Sequence, residues 1–175
     1  MDSVESRSAG TLSTEPPWRW RAYQEMTAAR YERGQLSVRF ADGTAVRVLA
    51  AALLPPATEA PNWEALSCDT YEITVPTASG VVEIPWSTIR RLTDAAYRKH
   101  LERAAADQAR SVGARLRALR EQTGLSPVAV AERVGVTTEA LQSIELGQAG
   151  TPLTTIGRIL DAVGGTWLDL AAADG

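Results

Sequence analysis

Apolar and polar residues alternate strictly along QLSVRF, where Leu36, Val38 and Phe40 interleave with Gln35, Ser37 and Arg39. A period of two is the mark of a strand buried on one face. Asp42–Gly43 follows, a pair that tolerates the positive φ of a tight turn, and Val46 and Val48 resume the alternation. The spacing predicts a β-hairpin over residues 35 to 48. A Pro/Ala-rich connection (LLPPATEAPN) leads to a second hairpin, with Tyr71, Ile73 and Val75 on one face of its first strand. Val82 and Ile84 line its second strand, beyond a turn containing Gly80. Ser87 is placed to cap a short helix through Ile89 and Leu92, and Thr93 to cap the next. These elements predict a small antiparallel sheet of about four strands with a trailing helix. Upstream, WRWRAY alternates aromatic and basic residues behind Pro16–Pro17. It reads as an edge strand or a segment packed on a sheet, with arginine stems covering apolar surface, in preference to a nucleic-acid stacking surface.

The period then changes. Residues 94 to 110 are Ala-rich, charged and free of Gly and Pro, which predicts a connector helix. From Ser111 the pattern is helical throughout. Val112, Leu116 and Leu119 fall at i, i+4 and i+7, and Gly124 closes that helix. Ser126 is an N-cap with Pro127 at the first helical position; Val130, Ala131 and Val134 form one face, and Gly135 ends the turn of chain. Thr137 caps a further helix with Leu141 and Ile144 inward, stopped by Gly147. Ala131 supplies the small side chain that two steeply crossing helices need at closest approach. Thr151–Pro152 open a helix carrying Leu153, Ile156, Ile159, Leu160 and Val163, and Trp167 and Leu170 are expected to close the core.

The fold class expected is therefore α+β. The organisation expected is a disordered tail over 1–17, a small β-rich domain over 18–93, a connector helix over 94–110, and an all-α domain of four or five helices over 111–175. Composition narrows the chemistry. Cys68 and His100 are the only residues of their kinds, so an internal disulfide and a Cys/His zinc site are excluded and a Cys–His nucleophile pair is remote. Asp42 and Asp69 read as turn residues, and Trp63 and Trp86 as core anchors. No convergent titratable set suggests an enzyme, and no cofactor is called for. With no long apolar run and no basic-then-apolar leader, a cytoplasmic protein without membrane contact is expected.

RLRALREQTGLSPVAVAERVGVTTEALQSIELG resembles the Cro/repressor-type (XRE-like) helix-turn-helix family, over roughly residues 111 to 172. The likeness lies in the helix lengths, the Leu-Arg-x-x-Arg-Glu of the first helix, the Ala/Gly pair around the turn and the Ile-Glu-x-Gly ending. It implies a structural ion pair between Arg120 and Glu145. It also implies base-facing residues at Thr138, Glu139, Gln142 and Ser143, Thr137 beside a phosphate at the helix N-terminus, and DNA contacts from Gln148 and Arg115. The physical chemistry agrees: amides at a helix N-terminus face an anion. Gln bonds adenine bidentately, and Glu accepts from a cytosine amino group.

Two features depart from that family. Pro127 stands where a phosphate-binding Gln is common, and the next two positions are the apolar Val128 and Ala129, a patch suited to packing against another surface. Charge departs as well. The whole chain carries −3, and residues 111–175 hold five arginines (Arg115, Arg117, Arg120, Arg133, Arg158) against seven acids, a balance of −2. Since phosphate contacts dominate non-specific affinity, this module alone is expected to bind DNA weakly. The basic residues just upstream (Arg98, Lys99, Arg103, Arg110), the N-terminal domain or a second copy would have to help. The N-terminal part, through VRFADGT, VVEIPW and IRRLTD over about residues 22 to 98, resembles a small β-rich bacterial family of unknown function.

The expectation is a bacterial, homodimeric, sequence-specific regulator binding double-stranded DNA, whose N-terminal domain senses, dimerises or binds a partner. The alternative is an antitoxin-like or scaffold protein that mainly binds another protein, suggested by the acidic balance and by Val128–Ala129.

Overall fold

The computed structural model describes residues 15–54, 59–148 and 150–171. Most of the N-terminal stretch expected to be a tail lies outside the described residues. The chain divides into two compact units, Met1–Arg98 and Lys99–Gly175.

In the first unit, strands β1 (Met26–Glu32), β2 (Gln35–Phe40) and β3 (Ala45–Leu49) form one antiparallel sheet in that order. Strands β4 (Ser67–Cys68), β5 (Glu72–Pro76) and β6 (Val81–Pro85) form another. Both expected hairpins are present, as β2–β3 and β5–β6. The count of about four strands is corrected to six among the described residues. The strand β1 carries Met26, Ala29 and Tyr31 toward the core, and a bulge at Thr27 throws Met26 out of step with the other two, so its period-2 signal is faint. Its identity comes from pairing with β2 through the turn Arg33–Gly34, where both φ angles are positive. Leu36, Val38, Phe40, Ile73, Val75, Ile84 and Ile89 are the buried centre, with Trp63 among them and Trp86 packed on it. Tyr71, expected inward, is exposed because β5 begins one residue later.

WRWRAY is not an edge strand. Pro17 starts a single 3₁₀ turn, Pro17–Arg19, and α1 (Arg21–Gln24) follows. Two of its aromatics pack on others while Trp20 stays exposed: Tyr23 lies edge-on to Trp86 and to Tyr97, with centroids 6.1 and 6.0 Å away, and Trp18 is 6.3 Å from Tyr97. The helix α2 (Trp86–Thr93) has Pro85 at its N-cap, so Ser87 lies within the helix and caps nothing. Nor does Thr93 cap α3 (Ala95–Gln122), because its hydroxyl donates back to the Ile89 carbonyl. Asp94, in extended conformation one residue later, takes that role, its Oδ1 accepting from the amides of Ala96 (2.8 Å) and Tyr97 (3.1 Å).

Arg90, 2% exposed, organises this unit. Its guanidinium lies between the rings of Tyr23 and Phe40, 3.8 and 3.7 Å from their centroids. Its Nε and Nη2 donate to the Tyr23 carbonyl at 3.1 and 2.8 Å, and Nη2 also donates to Asp42 Oδ2 at 2.7 Å. Asp42 Oδ1 accepts from the Thr44 amide at 2.8 Å, which fixes the β2–β3 turn with Gly43 at φ 86°.

The helix α3 begins at Ala95 and runs unbroken for 28 residues, most of them in the second unit, so the expected connector and the first helix of the all-α domain are one helix. Then come α4 (Pro127–Val134), α5 (Thr138–Glu145), α6 (Leu153–Val163) and α7 (Trp167–Ala171). Leu116, Val130, Ala131, Val134, Leu141, Ile144, Ile156, Ile159, Leu160, Val163 and Leu170 share one core. Leu170 closes it as expected, but Trp167 is half exposed and lies over Gly157 on the outside of α6. Among the described residues no helix is long and apolar enough to cross a membrane.

Two glycines let backbones meet. A Cβ on Gly113, within α3, would fall 2.5 Å from the Ile144 carbonyl oxygen and 2.6 Å from that of Glu145. One on Gly147, at φ 66°, would fall 2.5 Å from the Arg110 amide nitrogen. Helix propensity alone predicts that Gly113→Ala stabilises by about 1 kcal/mol. We expect the opposite, a loss of about 1–3 kcal/mol from overpacking against carbonyls that cannot step aside. A rise in melting temperature for this variant would overturn the close approach.

Acid should act on the first unit. Burial by itself raises the carboxyls of Asp42 and Asp94. Hydrogen bonds from Thr44 and Arg90 to Asp42, and from Tyr23, Tyr97 and Ala96 to Asp94, more than offset it and hold both below the usual carboxylate range. A depressed folded pKa contributes stability that is present above the unfolded value of about pH 4 and is lost as pH falls through the folded value. Urea titrations from pH 6 downward should therefore show stability falling at and below about pH 4. The fall should be smaller in Asp94→Asn; an identical acid profile in that variant would remove Asp94 from this role.

Candidate nucleic-acid interface

Residues 124 to 146 fold as a helix, a tight turn and a second helix, each boundary set by local chemistry. Ser126 Oγ accepts from the Ala129 amide at 3.2 Å, and Pro127 occupies the first helical position, where a missing N–H costs nothing. Gly135 adopts the left-handed conformation at φ 69°, and the Val136 amide returns to the Ala131 carbonyl at 3.0 Å. Thr137 Oγ1 accepts from the Ala140 amide at 3.1 Å and opens α5. Ala131 is buried beside Val130 and Val134, as the crossing of α4 and α5 requires.

The helix α5 has two distinct faces. Leu141, Ile144 and Glu145 are buried, whereas Glu139 and Gln142 are exposed and Thr138 and Ser143 are half-exposed. Spacing of three and four residues puts Thr138, Glu139, Gln142 and Ser143 together on the outward side. Thr137 stands exposed at its N-terminus, and Gln148 is exposed just past its end, its amide donating to the Ser143 carbonyl at 2.9 Å.

Behind that face, Arg120 and Glu145 are joined by two parallel bonds, Nε to Oε1 at 2.7 Å and Nη2 to Oε2 at 3.0 Å. Both residues are buried, and Nη1 of Arg120 also donates to the Leu125 carbonyl at 3.1 Å. The hydrogen bond from Arg120 to Glu145 raises the guanidinium's affinity for its proton, against burial. The bidentate pair ties α3 both to α5 and to the loop before α4.

The other four arginines of the domain are also engaged. Arg115 donates to the Leu170 carbonyl, tying α3 to α7. Arg117 pairs with Glu121 at 2.7 Å, Arg133 donates to the Ala162 carbonyl at 3.3 Å, and Arg158 donates to the Val134 carbonyl. Arg115 is thus set apart from the outward face of α5 and has structural work to do. Sequence reasoning passed over Arg117. Its exposed guanidinium borders a cleft of about 250 Å³ that it shares with Pro127, Gln142 and Leu146. The available signal was its place in the first helix, off the buried stripe of Leu116.

The other candidate chemistry does not assemble. Asp69 accepts from the amide of Thr70, as a turn residue does. Partial burial and the neighbouring Asp69 push the Cys68 thiol up, away from nucleophilic character. Among the described residues no three His, Cys, Asp or Glu side chains group to hold a metal.

Residues 111–173 match the family described as "Helix-turn-helix domain". Similar solved structures include the clp gene regulator ClgR from C. glutamicum, at 24% identity over 36% of this chain and 81% of that one, with a TM-score of 0.35. They also include the restriction-modification controller protein C.AhdI from Aeromonas hydrophila, at 31% identity over 37% of this chain and 97% of that one, with a TM-score of 0.35. Comparison with curated proteins gave no match. From the family match, the capped helix pair and the buried Arg120–Glu145 tie, residues 111–173 are a helix-turn-helix domain of the Cro/repressor type.

Proposed function

We propose that the protein is a sequence-specific, non-enzymatic DNA-binding regulator of transcription that acts as a homodimer. In this reading α5 lies in the major groove. The observation that carries it is the two-faced α5. One side is locked inward by Leu141, Ile144 and the Glu145–Arg120 pair, and the other offers Thr138, Glu139, Gln142 and Ser143. Gln142 is suited to adenine and Glu139 to a cytosine amino group, while Thr137 brings the first amides of α5 to a phosphate. Gln148, exposed just past α5, would contact the adjoining backbone in this reading, and Arg117 is a better candidate for it than Arg115, whose guanidinium is held by Leu170.

Electrostatics support the dimer. Residues 111–175 are net negative, and each of their five arginines already serves a bond inside the domain. One module therefore holds few free cations for phosphate, and two modules on two half-sites double that number. The first unit is the place for sensing, dimerisation or partner binding. A second reading, an antitoxin-like or scaffold protein, draws on the apolar rim of the same surface. Val128 is 51% exposed, and Pro127 and Leu146 line the cleft beside Gln142.

Selection from random duplex DNA should enrich a two-fold related sequence, bound with strong salt dependence by a species of twice the chain mass. Gln142→Ala and Ser143→Ala should each relax preference at their own base positions, Gln142→Ala by about 1–3 kcal/mol, without altering the circular dichroism spectrum. A selection that enriches nothing would sink this reading.

A further inference from the structure

We propose that the outward face of the β1–β2–β3 sheet is a second, sequence-independent contact surface for the DNA backbone. The inference extends the reading of α5 and rests on it for the choice of DNA as the polyanion. The register places Arg30 opposite Ser37 and Ser37 opposite Arg47, so an arginine flanks the central serine on each side. In the next row Ala28 faces Arg39 and Arg39 faces Ala45. Alternation along each strand sends these residues outward, while Leu36, Val38, Phe40 and Val48 fill the core.

Three guanidiniums therefore rise from one sheet face in a triangle. Neighbouring strands are about 4.8 Å apart, so the Cα atoms of Arg30 and Arg47 are separated by about 10 Å. Arg39 stands diagonal to both, about 7–8 Å away. The three border a trough of about 460 Å³ whose floor includes the small residues Ala28, Ser37 and Ala45. None of the three forms an ion pair among the described residues, and Glu32 is the one acid lining the trough. Like charges set beside one another on a sheet oppose folding. Three of them unneutralised, in a chain of net charge −3, mark a surface that gains from an external polyanion.

The character of the face selects among polyanions. Guanidinium forks bind phosphate bidentately, and a shallow floor of Ala and Ser lets a sugar-phosphate backbone come close. No aromatic side chain lines the trough, so there is no platform for base stacking. The helix-turn-helix domain, with its own arginines engaged, offers few cationic phosphate contacts, and this face can add to them.

The test uses the full-length protein and fluorescence anisotropy with random-sequence duplex DNA across a salt series. In the triple variant Arg30→Gln, Arg39→Gln, Arg47→Gln, the slope of log K against log salt should become shallower by roughly 2 to 3, reflecting three lost phosphate contacts. The preference for selected over random sequence should stay as in the unmodified protein. The corresponding triple Lys variant, which keeps the charges, should retain most of the slope and so separates lost charge from lost fold. An unchanged slope in the Gln variant, with sequence preference intact, overturns the proposal and leaves the reading of α5 standing. A shallower slope in a protein without sequence preference supports the sheet surface and removes the reading of α5. If the unmodified protein binds no duplex at all, both fall. Polyglutamate binding as tightly as duplex DNA, and lost in the Gln variant, also overturns the proposal, in favour of an acidic protein partner.

Discussion

The Arg120–Glu145 pair is the contact on which the candidate interface depends. Two charged side chains from segments 25 residues apart meet in a buried setting, with every polar atom of the contact engaged. Such a pair adds little net stability when complete, because desolvation offsets the Coulomb gain, but removing either partner leaves a buried charge unmatched. Its effect is geometric. The fork of Arg120 fixes the rotation of α5 about its own axis, and that rotation decides which residues face outward. The glycine contacts act in the same place: Gly113 lets α3 come against the last carbonyls of α5, and Gly147 admits the backbone of Arg110. A short helix of eight residues is thus held at its C-terminal end both by backbone contact and by one bidentate pair.

The first unit uses the same kind of device with different neighbours. Arg90 is buried, but its charge is met by two aromatic faces, a backbone carbonyl and the Asp42 carboxylate. It draws together α1, the β2–β3 turn and α2. Asp94 completes the arrangement by capping α3 and accepting from the Tyr23 hydroxyl at 2.8 Å. In both units an arginine anchored inside the fold is unavailable to a ligand. The cations left free on the first sheet therefore stand out against those consumed in the helical domain.

Much of this was legible in order along the chain. Strict alternation at Leu36–Phe40 and at Ile73–Val75, and the turn pair Asp42–Gly43, identified the hairpins, because those signals are local and each residue carries its own share. Caps at Ser126 and Thr137 and the left-handed Gly135 were equally legible, since one side chain or one φ angle determines each. The strand β1 was not, because Ala and Tyr at its inward positions carry little signal and its partner strand supplies the pairing. The caps expected at Ser87 and Thr93 shifted by a residue or were not used, because Pro85 and Asp94 competed for the same helix starts. Trp167 looked like a core residue by type, but α7 turns Leu170 inward and leaves the indole outside.

The sequence by itself determined the change from strand to helix periodicity and the capped helix-turn-helix pattern, which follow from spacing within a few turns, while the residues on the outward side of α5 came from the family resemblance that this pattern carries. Apart from Arg120, whose pairing with Glu145 the family resemblance already implied, only the tertiary structure decided what the arginines do. Arg90 became a buried tie, Arg115, Arg133 and Arg158 became links to carbonyls on other helices, and Arg30, Arg39 and Arg47 form no ion pair among the described residues and stand together on one sheet face. A guanidinium's role depends on which acceptors from distant segments come within hydrogen-bond reach. That is a property of packing and strand register, to which composition and periodicity are blind.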